Sequence, residues 1–259
     1  MVMNLLSRAQ PDFPPVDRAL EDPNGLLAVG GQLDAEWLTM AYRRGIFPWF
    51  DNDRSPILWW CPDPRAVIAP DAVHISRSLA KRLRNAGFEV TADEDFAGVI
   101  AGCAEERANQ PDNMESGTWI TPGMIHAYTD LHQRGLAHSI EVWQKDGDSR
   151  RLVGGLYGVS LGRMFFGESM FSRVADASKV ALCHLARQLV SWNFWLIDCQ
   201  IANPHLERMG AVDLDRPTFI ELVEKNAHQP TRKGPWRLDP VTADSWTRSE
   251  PPGKVEAES

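Results

Sequence analysis

Cysteine is scarce in this chain of 259 residues. There are four, Cys61, Cys103, Cys183 and Cys199, and no two form a C-x-x-C pair. Such scatter excludes a disulfide framework or a zinc finger and fits a reducing compartment. No apolar run approaches the roughly 18 residues that a membrane-spanning helix needs, so no integral membrane protein is expected. The first fifteen residues lack a basic region followed by a long apolar core. They do not read as a signal peptide, and the expected location is cytoplasmic. There is no Walker motif, no H-E-x-x-H and no G-x-G-x-x-G opening a helix. His126, His132 and His138 recur six apart, which does not bring them to one helix face. They read as surface or helix-end histidines, and no metal is expected. Positive charge is also in deficit: 27 Lys and Arg face 35 Asp and Glu, a net charge of -8. This argues against a wholesale nucleic-acid coat but permits a local basic patch.

What remains is the composition of a soluble globular protein, 43% hydrophobic and 24% charged. The length suits one large domain or two small ones. Tryptophan is the unusual residue, with ten copies against three tyrosines. Each tryptophan needs burial and a partner for its N–H, so the count implies a large core or flat-faced ligand sites.

Residues 1–62 hold turn clusters at Pro14-Pro15, Pro23-Asn24-Gly25 and Gly30-Gly31. They also hold a helical stretch from Ala35 to Arg44, which Gly45 caps and Pro48 stops. Ile57 to Trp60 reads as a buried strand ended by Pro62 and Pro64. A domain boundary is therefore expected near Cys61 to Arg65. Strands and helices then mix. Strands are expected at Ala66–Ile68, His138–Trp143, Leu152–Val159, Met164–Phe171 and Phe194–Ile201. Helices are expected at Ser76–Ala86, from Thr121 or Pro122 to Arg134, at Ser178–Trp192 and over 218–226. Residues 89–115 carry eight acidic side chains and one arginine. The tail from Asp239 is polar, contains proline and is expected to be disordered. The fold class is α+β: a small N-terminal α/β domain over 1–62, a second domain over 63–238, and the tail 239–259.

Two strands carry polar groups in apolar company. In Leu196-Ile-Asp-Cys-Gln200, alternation puts Asp198 and Gln200 on one side. In Phe166-Gly-Glu-Ser-Met-Phe171, Glu168 is a lone carboxylate. If these strands are neighbours, the two carboxylates and the amide line one pocket, and a buried carboxylate there can act as a general base. The alternative is that each is satisfied by backbone donors or an arginine. Gly167-Glu-Ser-Met-Phe171 half-matches a nucleophile elbow, with Phe171 where the tight turn needs glycine. Arg77, Lys81 and Arg84, with Arg82 beside them, share a helix face that binds phosphate or is simply solvated. Trp49, Trp119 and the Trp59-Trp60 pair either stack a base or fill core.

Taken together, these segments resemble the leucyl/phenylalanyl-tRNA–protein transferases. The matching stretches begin with Pro23-Asn-Gly-Leu-Leu-Ala-Val-Gly-Gly31, Ala41-Tyr-Arg-Arg-Gly-Ile-Phe-Pro-Trp-Phe50 and Ile57-Leu-Trp-Trp-Cys-Pro-Asp-Pro-Arg65. They continue through His74-Ile-Ser-Arg-Ser78, Gly117-Thr-Trp-Ile-Thr121, His138-Ser-Ile-Glu-Val-Trp143 and Val153-Gly-Gly-Leu-Tyr-Gly158. Phe166-Gly-Glu-Ser-Met-Phe-Ser-Arg173, Ala177-Ser-Lys179 and Leu196-Ile-Asp-Cys-Gln200 complete the set. They run in order over about residues 4–238. Departures fall at Glu105 to Ser116, at Ile201 to Gly210 and beyond Pro240.

The resemblance implies an acyl-CoA N-acetyltransferase-like second domain. It also implies a reaction that needs no cofactor: Leu, Phe or Met moves from the 3′ ester of its tRNA to the N-terminal amine of a protein beginning with Arg or Lys. The product is marked for the N-degron pathway of protein degradation. By the same resemblance, Asp198 and Gln200 work as a catalytic pair, with Asp198 orienting and polarising the amide, and Glu168 favours the positive charge of the acceptor. Trp49, Trp119 and Tyr128 lie at the tRNA's terminal adenosine. Phe165, Met170, Leu182 and Ile197 form the aminoacyl pocket, while Arg77, Lys81, Arg82 and Arg84 meet the tRNA backbone. The expected partners are aminoacyl-tRNA and acceptor proteins, not a membrane, and the chain is expected to be a monomer. A rival reading on the same fold is an acetyl-CoA-dependent acetyltransferase, but Leu156 breaks its phosphate-cradling pattern in Arg151-Leu-Val-Gly-Gly-Leu156. A second rival is a non-enzymatic RNA-binding module that uses the tryptophans and the basic helix.

Overall fold

A computed structural model describes residues 4–108, 120–242 and 245–247, the side chains of 106–108 excepted. The first sheet is built from β1 (Asn4–Leu6), β2 (Leu26–Gly30), β3 (Phe47–Pro48) and β4 (Leu58–Trp60), in the order β1-β2-β4-β3. The helix α1 (Ala35–Tyr42) connects β2 to β3 and is capped by Asp34, which accepts the backbone N–H groups of Glu36 and Trp37. Gly45, at φ +71°, lets the chain turn out of that helix, as the sequence implies.

The second sheet has seven strands. In chain order they are β5 (Arg65–Ile68), β6 (Glu89–Ala92), β7 (Ala137–Asp146), β8 (Ser149–Leu161), β9 (Met164–Ser172), β10 (Leu196–Gln200) and β11 (Val212–Leu214). Their spatial order is β11-β5-β10-β9-β8-β7-β6. Every neighbouring pair is antiparallel except β9 and β10, which run parallel. Such a pair needs a crossover, and α5 (Ala177–Ser191) supplies it. The remaining helices are α2 (Arg77–Asn85), α3 (Phe96–Ala108), α4 (Pro122–Gln133), α6 (Pro204–Arg208) and α7 (Arg216–Asn226). The architecture is thus mixed α and β, with two sheets among the described residues. No helix among the described residues is long and apolar enough to cross a membrane.

Both faces of the large sheet are covered. On one, Val180, Leu185 and Leu189 of α5 pack against Ile140, Val153 and Ile197. On the other, residues of α1, α3, α4 and α7 share a single cluster with the small sheet, from Trp37 and Trp59 to Tyr128, Phe166 and Phe219. The chain passes from one sheet to the other between Trp60 and Arg65, but the apolar core runs through both.

Three sequence readings need correction. No helix was expected within 89–115, yet α3 forms there. Its Phe96, Val99, Ile100 and Cys103 recur at helical spacing and are all buried. Gly102 hid the pattern by lowering helix propensity. It is a contact site instead, since a Cβ there would lie 2.7 Å from the Phe171 ring. His138, expected at a surface or helix end, is 1% exposed. It bonds Asp93 at 2.7 Å and lies flat on Trp236, with centroids 3.7 Å apart. Burial lowers its proton affinity. Finally, the disorder expected from Asp239 onward does not hold for residues 239–242 and 245–247. The backbone N–H of Asp239 donates to Gln188 at 2.6 Å, and its carboxylate accepts from Gln188 Nε2 at 2.8 Å. Trp246 is buried, and its carbonyl accepts from Arg84 at 2.6 Å.

Trp236 fastens this last segment to the sheet. It is 2% exposed and also meets Phe194 and Trp192 edge-on. Trp236→Ala is expected to cost about 3–5 kcal/mol, as large-to-small core substitutions of tryptophan do. Equilibrium urea unfolding measures this, and a loss below about 1 kcal/mol would show that the segment is not integral to the fold.

Candidate active site

The site lies where two strands part. β10 pairs with β9 only from Leu196 opposite Met164 to Asp198 opposite Phe166. Beyond that register a cavity of about 610 Å³ opens between them. Phe165, Met170, Leu182 and Ile197, the four residues expected to form one apolar pocket, all line it. Glu168, Asp198 and Gln200 line it too, so the polar groups singled out from two separate strands do meet. Trp49, 41% exposed, stands among the lining residues and meets Trp60 at 5.7 Å between centroids.

Glu168 owes its position to a bulge. Ser169 pairs with Tyr157 and Gly167 with Gly158, so Glu168 is the extra residue of β9. Its side chain is 7% exposed. Tyr42 Oη donates to Oε1 at 2.7 Å, Tyr128 Oη donates to Oε2 at 2.7 Å, and Gln200 Nε2 donates to Oε1 at 2.9 Å. The two tyrosine hydroxyls also touch each other. Burial pushes the Glu168 carboxyl up from its usual 4.5 to about 7, even though the three donors pull the other way, and the charge of Asp198 adds to the rise.

Asp198 is engaged differently. It is fully buried, and Arg65 grips it with two bonds, Nε to Oδ1 at 2.8 Å and Nη2 to Oδ2 at 2.7 Å. The arginine partner left open by the sequence is therefore real. Oδ1 also accepts the backbone N–H of Gln200 at 2.9 Å. Asp198 thus holds the main chain of Gln200, while Glu168 holds its side-chain amide. The simple alternation that put Asp198 and Gln200 on one side does not extend to Gln200. The ladder with β5 slips there, and Gln200 takes φ +63°.

The other expected site residues scatter. Tyr128 is fully buried behind Glu168, with its ring against Tyr157, and is not among the cavity-lining residues. Its hydroxyl serves the carboxylate, so the ring has no exposed face for an adenosine. Trp119 lies outside the described residues. Trp59 is core, stacked on Trp37. On α2, Arg77 and Lys81 are exposed. Arg84 is tied to the Trp246 carbonyl, and Arg82 lies over Phe88 and 3.9 Å from Asp176. Ser169 Oγ is buried without a hydrogen-bond partner among the described residues, and none of those residues is a base placed to activate it as a hydrolase nucleophile.

Sequence reasoning missed Tyr42 and Arg65. Tyr42 sits on the buried face of α1 and reads as core. Arg65 ends a proline-rich segment and reads as the first residue of a new domain. Their shared signal is cost: a buried phenol or guanidinium needs a polar partner.

This geometry meets its relatives by comparison. Residues 67–224 match the family model described as leucyl/phenylalanyl-tRNA protein transferase, and residues 31–63 match that of its N-terminal domain. A leucyl/phenylalanyl-tRNA–protein transferase of Thiobacillus denitrificans is 56% identical over 227 residues, covering 88% of this chain and 95% of that protein. Those of Alkalilimnicola ehrlichii and Pseudomonas aeruginosa are 53% and 52% identical, each over 88% of this chain and over 84% and 97% of their own lengths. With a family model over more than half its length and relatives this similar, the chain belongs to the leucyl/phenylalanyl-tRNA–protein transferase family and is an aminoacyltransferase.

Proposed function

We propose that the enzyme transfers a leucyl, phenylalanyl or methionyl group from the 3′ ester of its tRNA to the N-terminal amine of a protein beginning with Arg or Lys. The product would enter the N-degron pathway in the cytoplasm. The observation that carries this reading is the Gln200 amide, anchored on Glu168 at the edge of an apolar cavity.

The ester is already activated, so the protein must align two substrates and manage one proton. Alignment alone can lower the barrier by several kcal/mol. The side chain of the donor fits the space among Phe165, Met170, Leu182 and Ile197, which offers no polar group to tell one apolar shape sharply from another. Trp49 at the cavity gives the terminal adenosine a face to stack on. Arg77 and Lys81 supply sequence-independent phosphate contacts, to which Arg82 and Arg84 contribute.

Because Gln200 spends its Nε2 on Glu168, its carbonyl oxygen is the free end. That oxygen accepts an N–H of the attacking amine and aims its lone pair at the ester carbon. An amide oxygen does not keep a proton at neutral pH; Glu168, with an affinity near 7, does. The new N–C bond forms, Glu168 takes the proton from the nitrogen, the C–O bond to the ribose breaks, and Glu168 returns that proton so that the 3′ oxygen leaves as a hydroxyl. The negative Glu168 also favours a cationic acceptor. The splayed parallel pair at the centre of the large sheet supports an acetyltransferase-like domain over 63–238. We take residues 1–62 as a small domain packed on it, and the enzyme as a monomer.

A transfer assay tests the reading. Purified enzyme, tRNA charged with labelled leucine and a peptide starting with arginine should yield labelled peptide, whereas a peptide starting with alanine should not. Intact charged tRNA after incubation with folded enzyme would refute the proposal.

A further inference from the structure

We infer that Arg65 is a positioning residue for the transfer, acting through the backbone of Gln200. The inference rests on the role proposed above for the Gln200 amide. Gln200 stands at φ +63°, a left-handed conformation that few residues other than glycine adopt. It does so where β10 carries one residue more than β5: Asp198 faces Val67 and Gln200 faces Ala66. Nothing in strand pairing fixes that conformation. The bond from Gln200 N–H to Asp198 Oδ1, at 2.9 Å, does.

Asp198 can hold it only if its own carboxylate is fixed. A buried lone carboxylate is costly, and a single contact leaves it free to rotate. The paired Nε and Nη2 bonds of Arg65 remove both problems, because the planar fork sets the plane of the carboxylate. The guanidinium is itself clamped between the rings of Phe47 and Phe219, with centroids 4.8 and 4.6 Å away. Thus β3, β5 and α7 converge on one cation, and through it on the direction in which Gln200 reaches Glu168. Arg65 does not itself line the cavity, and its hydrogen bonds go to Asp198, so its influence on chemistry passes through Asp198 and that N–H.

A double-mutant cycle on kcat tests this. Lysine cannot reproduce a bidentate fork. Arg65→Lys should lower kcat about tenfold or more, while KM for leucyl-tRNA changes by less than about twofold. In a Gln200→Ala background the same substitution should change kcat by less than about twofold, because its target is gone. Phe219→Leu loosens one side of the clamp without touching charge. It should give a smaller kcat loss that is equally silent in the Gln200→Ala background, even if Arg65→Lys compromises folding. A loss that persists in full without Gln200 would overturn the inference. A Gln200→Ala enzyme with unchanged kcat would instead overturn the role of the amide on which it rests.

Discussion

Replacing Gln200 by alanine is expected to lower kcat for aminoacyl transfer about a hundredfold, with KM for leucyl-tRNA near its starting value. Gln200 is fixed at two points, its Nε2 on Glu168 and its main-chain N–H on Asp198. A preorganised dipole of this kind costs no reorientation when the amine arrives, and removing one elsewhere costs two to three orders of magnitude. In the reading proposed above the donor's side chain and adenosine meet other residues, so ground-state binding of the tRNA should not feel the change. Gln200→Glu sharpens the test. It nearly preserves shape but sets a carboxylate against Glu168 where an N–H donor stood, and it should not restore the rate. Rapid-quench single turnovers with saturating enzyme separate chemistry from product release. A loss of less than about threefold in that step would show that Gln200 is a bystander.

Some of this site was legible in the sequence and some was not, and the division has a physical cause. Local periodicity and caps gave most helices: Thr121 and Pro122 open α4 and Gly45 closes α1, because capping is settled within a few residues. A lone carboxylate in an apolar strand marked Glu168 correctly as anomalous. What could not be read was the partner of each polar group. Arg65 lies 133 residues before Asp198, and Tyr42 lies 126 before Glu168. Such pairings are set by the order of strands in the sheet, not by spacing along the chain. The two irregularities that shape the site, at Glu168 and at Gln200, break the period-two rule that strand reading relies on. Gly102 within α3 misled for a related reason: its value lies in close approach to Phe171, which local propensity penalises.

Glu168→Gln is expected to slow transfer about a hundredfold at pH 8 and to remove one limb of the pH profile. If the base form of Glu168 takes the proton, as proposed, the single-turnover rate of the native enzyme should rise as pH rises through about 7. A second limb, near 8, belongs to the acceptor's own α-amino group and should survive the substitution. The surroundings of Glu168 suit a group that must hold a proton briefly. As a carboxylate it accepts from both Tyr42 and Tyr128. Once protonated it can donate to one phenol, which turns its own hydrogen toward the other, because the two hydroxyls are in contact. Every donor stays paired in either state, so the proton arrives without stranding a buried polar group. The same carboxyl should leave a mark on stability, with the opposite sense. Its affinity is raised on folding, so the folded state keeps a proton that the unfolded state has already lost between pH 4.5 and 7. Its contribution is therefore complete below 4.5 and lost as pH climbs through 7, a difference on the order of 3 kcal/mol. Urea midpoints of native enzyme and Glu168→Gln, taken across that window, should diverge as pH increases, with the glutamine variant gaining. If both curves run parallel and the rate keeps its inflection near 7, another group takes the proton. If they diverge together with loss of that limb, one buried carboxyl sets both the pH at which the enzyme works and the stability it gives up to do so.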